Sequence, residues 1–321
     1  DGYKRQGMIC SQKELGLGED HDGIWVLEQG CDLGAPVAEA QKKIRQHTWS
    51  GIERIVAVGD VHGDHGQFLK TLLAAKVIDK EGRWVGGKTH LVQTGDLFDR
   101  GPDSRKTMDL LMKLEVEAKK AGGHVHCLAG NHEEMILRGD WRYVHPGEVQ
   151  AFGDNAKYSA AVGPGGVYGK WIRKHNGVIK INNLLFLHGG LGGPYATMSL
   201  DQLNEGIRHG LNTGTGMARD SNGPLWHRAL ARGDDASINE QVKPIFKTHS
   251  VKHIVLGHTV SGRILPKAGG KVILIDVGMS KAYGGPAGCL VIETGVFYAV
   301  YAGPPGTKLA VKTVKAGPVK K

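Results

Sequence analysis

The chain is poor in cysteine, proline and aromatic residues, and it has no apolar run long enough to span a membrane. Its four cysteines, Cys10, Cys31, Cys127 and Cys289, form no CxxC pair, so no thiolate-built framework is expected. Cys127 and Cys289 lie in strand-like runs and read as buried, inert thiols. Cys10 and Cys31 fall in the N-terminal arm, where an oxidising compartment would let them pair. With 12 prolines, a 40% hydrophobic fraction and 49 glycines, the composition argues against disorder. Glycine at about twice its average share describes tight loops around a compact α/β core. Lysine and arginine (41) exceed aspartate and glutamate (32), leaving a net charge of +9 that serves anionic partners or solubility alone. No basic helix or aromatic-interleaved strand stands out, so no nucleic-acid partner is expected. The chain opens at Asp1 with neither Met nor an apolar leader, which reads as a processed or trimmed start. The compartment stays open: periplasmic or exported if a leader was removed, cytoplasmic otherwise.

Residues 1–50 read as a polar, Gly-rich arm with a short strand at 24–27 and a short helix at 37–47. Core-type periodicity begins at Ile52. From there strand 52–58, helix 64–77, strand 89–94, helix 102–120, strand 124–128 and a helix from Asn131 alternate. That order predicts a parallel or mixed sheet with helices on its faces. Asp64 is placed to cap the first helix and Pro102 to open the second. The stretch 139–175, rich in Trp, Tyr and Gly, reads as a loop-and-helix insertion. A hairpin follows, with Asn182-Asn183 turning between two apolar runs. A second irregular insertion, 192–250, carries a helix near 200–211 and the segment Pro224-Leu-Trp-His-Arg228. Strands return at 253–257, 271–277, 288–293 and 296–301, and 303–321 reads as a frayed basic tail. The catalytic domain is expected over 51–302.

Each core strand ends in residues that bind metal or phosphate. The buried run Ile55-Val-Ala-Val58 delivers Gly59-Asp-Val-His-Gly63, hence Asp60 and His62. The second strand delivers Gly95-Asp-Leu-Phe-Asp-Arg-Gly101, and the third Gly130-Asn-His-Glu133. The hairpin ends in His188-Gly-Gly190, and strand 253–257 in Gly257-His-Thr259. Carboxyl ends of strands in open α/β sheets line the ligand crevice, so these groups converge. Asp60, His62, Asp96, Asn131, His188 and His258 make a mixed O/N set suited to manganese, iron or zinc, manganese first. Six such ligands exceed the needs of one open site. A bridging Asp96 would hold two divalent ions about 3.5–4 Å apart, with a hydroxide between them as nucleophile. His132 directly follows Asn131 and is the candidate general acid, with Asp99 to orient it. Arg100 suits a bidentate grip on phosphate, and Arg228 supplies a second. His65, His124, His126 and His253 are given no role.

In this order the five motifs resemble the phosphoprotein phosphatase family of metallophosphatases over roughly residues 52–302. The nearest likeness is to the bacterial-type branch called Shewanella-like phosphatases, carried by Asp22-Gly23, Pro224-Leu-Trp-His-Arg228, and Asp276-Val-Gly-Met-Ser280 followed by Tyr283-Gly-Gly285. The Ser-Ala-Pro-Asn-Tyr-Cys loop of the eukaryotic enzymes is absent, so their toxin sensitivity and regulatory-subunit docking are not expected. The resemblance implies an α/β fold, a central β-sandwich flanked by helices with a dinuclear metal site at the strand ends. It implies Asp60, His62 and Asp96 on the first metal, and Asp96, Asn131, His188 and His258 on the second. It implies His132 with Asp99 as acid, and Arg100, Asn131 and Arg228 on phosphate, with Tyr283 at the rim. The implied activity is hydrolysis of phosphotyrosine, phosphoserine or phosphothreonine in a protein or peptide. The alternative is a dinucleoside polyphosphate hydrolase of the diadenosine tetraphosphate type, against which His188-Gly-Gly190 argues mildly. A non-catalytic docking module is disfavoured by the intact ligand set and the intact His132–Asp99 pair.

Overall fold

The computed structural model describes residues 45–303 and 310–314. The chain divides between Gln46 and His47, and the unit from His47 onward holds the fold. The strand expected at 24–27, most of the helix at 37–47, and Cys10 and Cys31 lie outside the described residues. Residues 45–47, which are described, are not helical.

In chain order the first half contains β1 (Thr48–Trp49), β2 (Arg54–Val58), α1 (His65–Ala74), β3 (His90–Gln93), α2 (Ser104–Lys120), β4 (His124–Cys127) and α3 (Asn131–Leu137). The first insertion forms α4 (Pro146–Phe152), α5 (Asn155–Val162) and α6 (Val167–Arg173), and β5 (Val178–Ile181) and β6 (Leu184–Leu187) make the hairpin. The second insertion forms α7 (Leu200–Thr213), α8 (Ala229–Arg232) and α9 (Asp235–His249). The chain then runs through β7 (His253–Leu256), β8 (Leu265–Lys267), β9 (Val272–Leu274), β10 (Gly288–Glu293), β11 (Val296–Tyr301) and β12 (Ala310–Val314).

These strands build two six-stranded sheets, ordered β12-β11-β10-β2-β3-β4 and β1-β5-β6-β7-β9-β8. In the first, β2, β3 and β4 run parallel through the α1 and α2 crossovers, and β10 joins β2 antiparallel. In the second, β6, β7 and β9 run parallel. Side-chain alternation explains why the central strands of the second sheet are apolar on both faces. Ile179, Ile181, Phe186, Val255 and Ile273 join the core shared with Val56, Val58 and Val92. Their neighbours Val178, Leu185, Leu187, Ile254, Leu256 and Val272 face a second core under α7 and α9. A sheet covered on both faces reads as a continuous apolar run, and each fully buried aliphatic side chain contributes about 1.5–3 kcal/mol.

Three expectations change. Pro102 does not open α2: the helix starts at Ser104, whose amide donates to Glu148 Oε2 of α4 at 2.8 Å. That cap comes from 44 residues away in sequence and leaves no local signal. The tail is not frayed throughout, because 310–314 pair antiparallel with β11, Tyr301 opposite Ala310, and cover an edge left open by β11. The second insertion is more regular than expected: α9 runs 15 residues with Pro244 inside it. Burial of Ile238, Val242 and Ile245 along one stripe offsets the proline. Among the described residues no helix is long and apolar enough to cross a membrane.

Candidate metal and phosphate site

The loops after β2, β3, β4 and β7 meet at one cavity of about 300 Å³. His62, Asp96, Arg100, Asn131, His132, Arg228, His258 and Tyr283 line it. Asp60, Asp99 and His188 lie buried directly behind that lining. Both insertions reach the cavity, the first through Arg142 and Tyr143 and the second through Trp226 and Arg228. The first also packs, since Tyr158, Val162 and Ile172 are buried in the main core.

The turns that present these groups are strained. His62, Asp96, Asp99, Arg100 and His258 all have positive φ, between 46° and 72°. Non-glycine residues held there cost of order 1 kcal/mol or more and persist where surrounding structure compels them. Two glycines allow the close approach. A Cβ on Gly63 would lie 2.3 Å from the Gly101 carbonyl, and one on Gly130 would lie 2.3 Å from Asp96 Oδ1. Glu133, quoted in its motif but given no role from sequence, ties the turns together: it accepts from the amides of Asp96 (2.8 Å), Leu97 (2.7 Å) and Gly130 (2.7 Å).

Asp96 Oδ2 is the centre of the arrangement. It lies 3.3 Å from His188 Nε2, 3.7 Å from His62 Nε2 and 3.8 Å from His132 Nε2. Asp60 lies 4.0 Å from both His62 and His188 and accepts the His258 amide on both oxygens. Nδ1 of His62 sits 2.9 Å from the Phe98 carbonyl and Nδ1 of His188 2.9 Å from the Thr94 carbonyl. Each carbonyl only accepts, so each Nδ1 carries a proton and each Nε2 is turned toward the Asp96 carboxylate. Burial lowers His62 to about 4 and His258 to about 2, which keeps both rings neutral.

These residues fit divalent metal. His188 Nε2 and Asn131 Oδ1, a nitrogen and an oxygen of the kinds that ligate such ions, stand 2.8 Å apart beside Asp96. Burial, then the charges of Asp276 and Asp96, push Asp60 well above the carboxylate range. A dication among these carboxylates reverses that penalty. Donor atoms of Asp96, His188 and His258 lie within 4.8 Å of one another, as do those of His62, Asp96 and His132. The second trio contains His132 where the sequence reading has Asp60.

His132 Nδ1 is bonded to the Asp99 carboxylate, and its amide donates to Asp96 Oδ1 at 2.9 Å. Burial alone would lower this imidazole, but Asp96, Asp99 and Glu133 outweigh it and hold it above its ordinary value. Arg100 stacks over the Tyr143 ring at 3.9 Å, and its buried Nε has no hydrogen-bond partner among the described residues. Arg228 donates to the His258 carbonyl at 2.7 Å and to Thr259 Oγ1 at 3.1 Å, which ties it to the turn after β7 at the cavity wall. Tyr283 sits at the mouth, its ring 5.3 Å from that of His62. Asp276, quoted in its motif, was given no role from sequence. It lines the cavity with Oδ2 unpartnered among the described residues, and burial raises it to about 6. Its signal was the one used for the others, an acid just past the end of a buried strand.

Two buried sheets, a histidine–carboxylate cluster at their strand ends and arginines beside it define a metallophosphoesterase. Residues 53–262 match the calcineurin-like phosphoesterase model, and the chain belongs to that family. Within the family it is similar to Shewanella-like protein phosphatase 1 of Plasmodium berghei, 33% identical over 248 residues, 72% of this chain and 68% of the relative. It is also similar to Shewanella-like protein phosphatase 2 of Arabidopsis thaliana, 29% identical over 297 residues and 75% of each chain. Among solved structures, the cold-active protein-tyrosine phosphatase of a psychrophilic Shewanella superimposes with a TM-score of 0.73 at 31% identity, covering 84% of this chain and 82% of that one. Members of the calcineurin-like family use a dinuclear divalent metal site.

Proposed function

We propose that the protein is a metal-dependent protein phosphatase, hydrolysing phosphomonoesters on protein side chains by direct transfer to water. One observation carries the reading most strongly. The Asp99-bonded imidazole of His132 stands beside the Asp96-centred cluster, in a cavity where Arg100 Nε is buried without a partner. The names of the relatives and of the solved Shewanella enzyme support the same activity.

Asp60, His62 and Asp96 would hold one ion, and Asp96, Asn131, His188 and His258 the other, with manganese as the expected metal. When bound, the ions supply an activated water and neutralise phosphoryl charge. Arg100, Arg228 and Asn131 bind and orient the phosphoryl oxygens, so its charge is met by groups already in place. His132, kept protonated by Asp99, gives its Nε2 proton to the leaving oxygen. Tyr143, Tyr283 and Val260, exposed by 37%, 42% and 47%, stand at the mouth beside the charged Arg138, Asp140 and Arg142. A phenyl ring stacks on these tyrosines better than a serine methylene does, and on that ground phosphotyrosine is the expected preference.

The test is steady-state hydrolysis of matched phosphotyrosyl and phosphoseryl peptides by metal-stripped protein re-supplied with manganese. Activity must vanish on stripping, return with metal and favour the tyrosyl peptide. Metal-bound protein silent on both peptides, yet active on dinucleoside polyphosphates, would sink the proposal.

A further inference from the structure

Outside that cavity, three side chains from different elements meet beside β4. Cys127 ends the strand, Glu115 comes from α2, and His175 follows α6. An isolated parallel bridge pairs Leu128 with Asn176, and the Ala129 amide donates to the Asn176 carbonyl at 3.1 Å. The residues just before each bridge partner, Cys127 and His175, therefore stand side by side on one face. Cys127 Sγ, a ring nitrogen of His175 and a carboxylate oxygen of Glu115 all lie within 4.8 Å of one another. Cys127 and His175 are 6% and 7% exposed. The thiol is bonded to the Glu115 carboxylate. Trp171 Nε1 donates to both oxygens of that carboxylate, at 3.2 and 3.1 Å, and its ring meets His175 edge-on at 4.4 Å. One indole thus fixes both the carboxylate and the imidazole.

The proposed hydrolysis uses none of these groups. Burial raises both the Glu115 carboxyl and the Cys127 thiol, and the Glu115 charge raises the thiol further. A thiolate, an imidazole and a carboxylate form an S/N/O set that suits a borderline ion such as zinc, unlike the O/N set of the main cavity. We propose that Glu115, Cys127 and His175 form an additional metal site for a zinc-class ion, with water as fourth ligand. On binding, the S–H bond breaks, a sulfur–metal bond forms and the proton leaves to solvent, with no change of oxidation state. The ion ties α2, β4 and the end of the first insertion at one point. Cys127 then is not the inert thiol its strand-like sequence suggests.

Cobalt(II) added to the metal-stripped full chain tests this independently of turnover. A thiolate ligand produces an intense near-ultraviolet sulfur-to-cobalt charge-transfer band, which the O/N ligands of the main site do not. The band is expected in the wild type, lost in Cys127→Ser and kept in Asp96→Asn. Zinc should abolish it and excess magnesium leave it. No band in folded wild type, displacement by magnesium, or an undiminished band in Cys127→Ser would each overturn the proposal. His175→Asn keeps the thiol and guards against a misfolded serine variant: cobalt affinity read at the band should fall about tenfold or more. An unchanged affinity there refutes the ligand set.

Discussion

Replacing Asp99 by Asn isolates the acid-positioning step from metal binding. Asp99 is 1% exposed, one of its oxygens is bonded to His132 Nδ1, and the other has no partner among the described residues. The variant keeps the shape of the side chain and removes its charge. A hydrogen bond to a charged group contributes about 1.5–3 kcal/mol, and about 1.4 kcal/mol is tenfold in rate. We therefore expect kcat on a phosphopeptide to fall about tenfold to a hundredfold with KM little changed. An aryl phosphate whose leaving group needs no proton should lose much less. The pH profile carries a second reading. His132 acts protonated and is held above its ordinary value, against burial, by Asp96 and Asp99. Activity is present below that value and lost as pH rises through it, so Asp99→Asn must move the alkaline limb to lower pH. The assay is manganese-loaded steady-state kinetics on a phosphopeptide and p-nitrophenyl phosphate across that limb. The double variant with His132→Asn should be no slower than His132→Asn alone. A full kcat, an unmoved limb, or equal losses on both substrates would refute the reasoning.

Arg100→Lys keeps the charge but loses the planar fork, and kcat/KM should fall about tenfold or more; wild-type kinetics would remove Arg100 from phosphate binding. Glu148 is raised by burial from 4.5 to about 7, so the folded state binds the extra proton between those values. Stability from this group is full at low pH and lost as pH rises through about 7, a cost on the order of 3 kcal/mol above it. Glu148→Gln should flatten that slope in urea midpoints compared at mildly acidic and mildly alkaline pH, and an unchanged slope would contradict the assignment. Gly63 has φ +65°, and an added Cβ would meet the Gly101 carbonyl. Gly63→Ala should lower stability by about 2 kcal/mol or more and weaken manganese binding by displacing His62, both measurable by calorimetry.

The local code for chemistry was legible along the chain. Asp60, His62, Asp96, Asn131, His188 and His258 each follow a buried apolar strand, and that placement depends only on period and on glycine at the turn. The strand and helix order over 52–137 follows from the same periodicity. What the sequence could not carry were relations between distant segments. Glu148 caps α2, Glu133 binds the turn at Asp96, and Cys127 meets His175 across one backbone bridge. None has a periodic or spacing signal, because each partner is chosen by packing rather than by its neighbours in the chain. The protonation states belong with them. An isolated histidine titrates near neutrality; burial makes His62 a neutral lone-pair donor in spite of Asp96, whereas Asp96 and Asp99 outweigh burial and make His132 a proton donor.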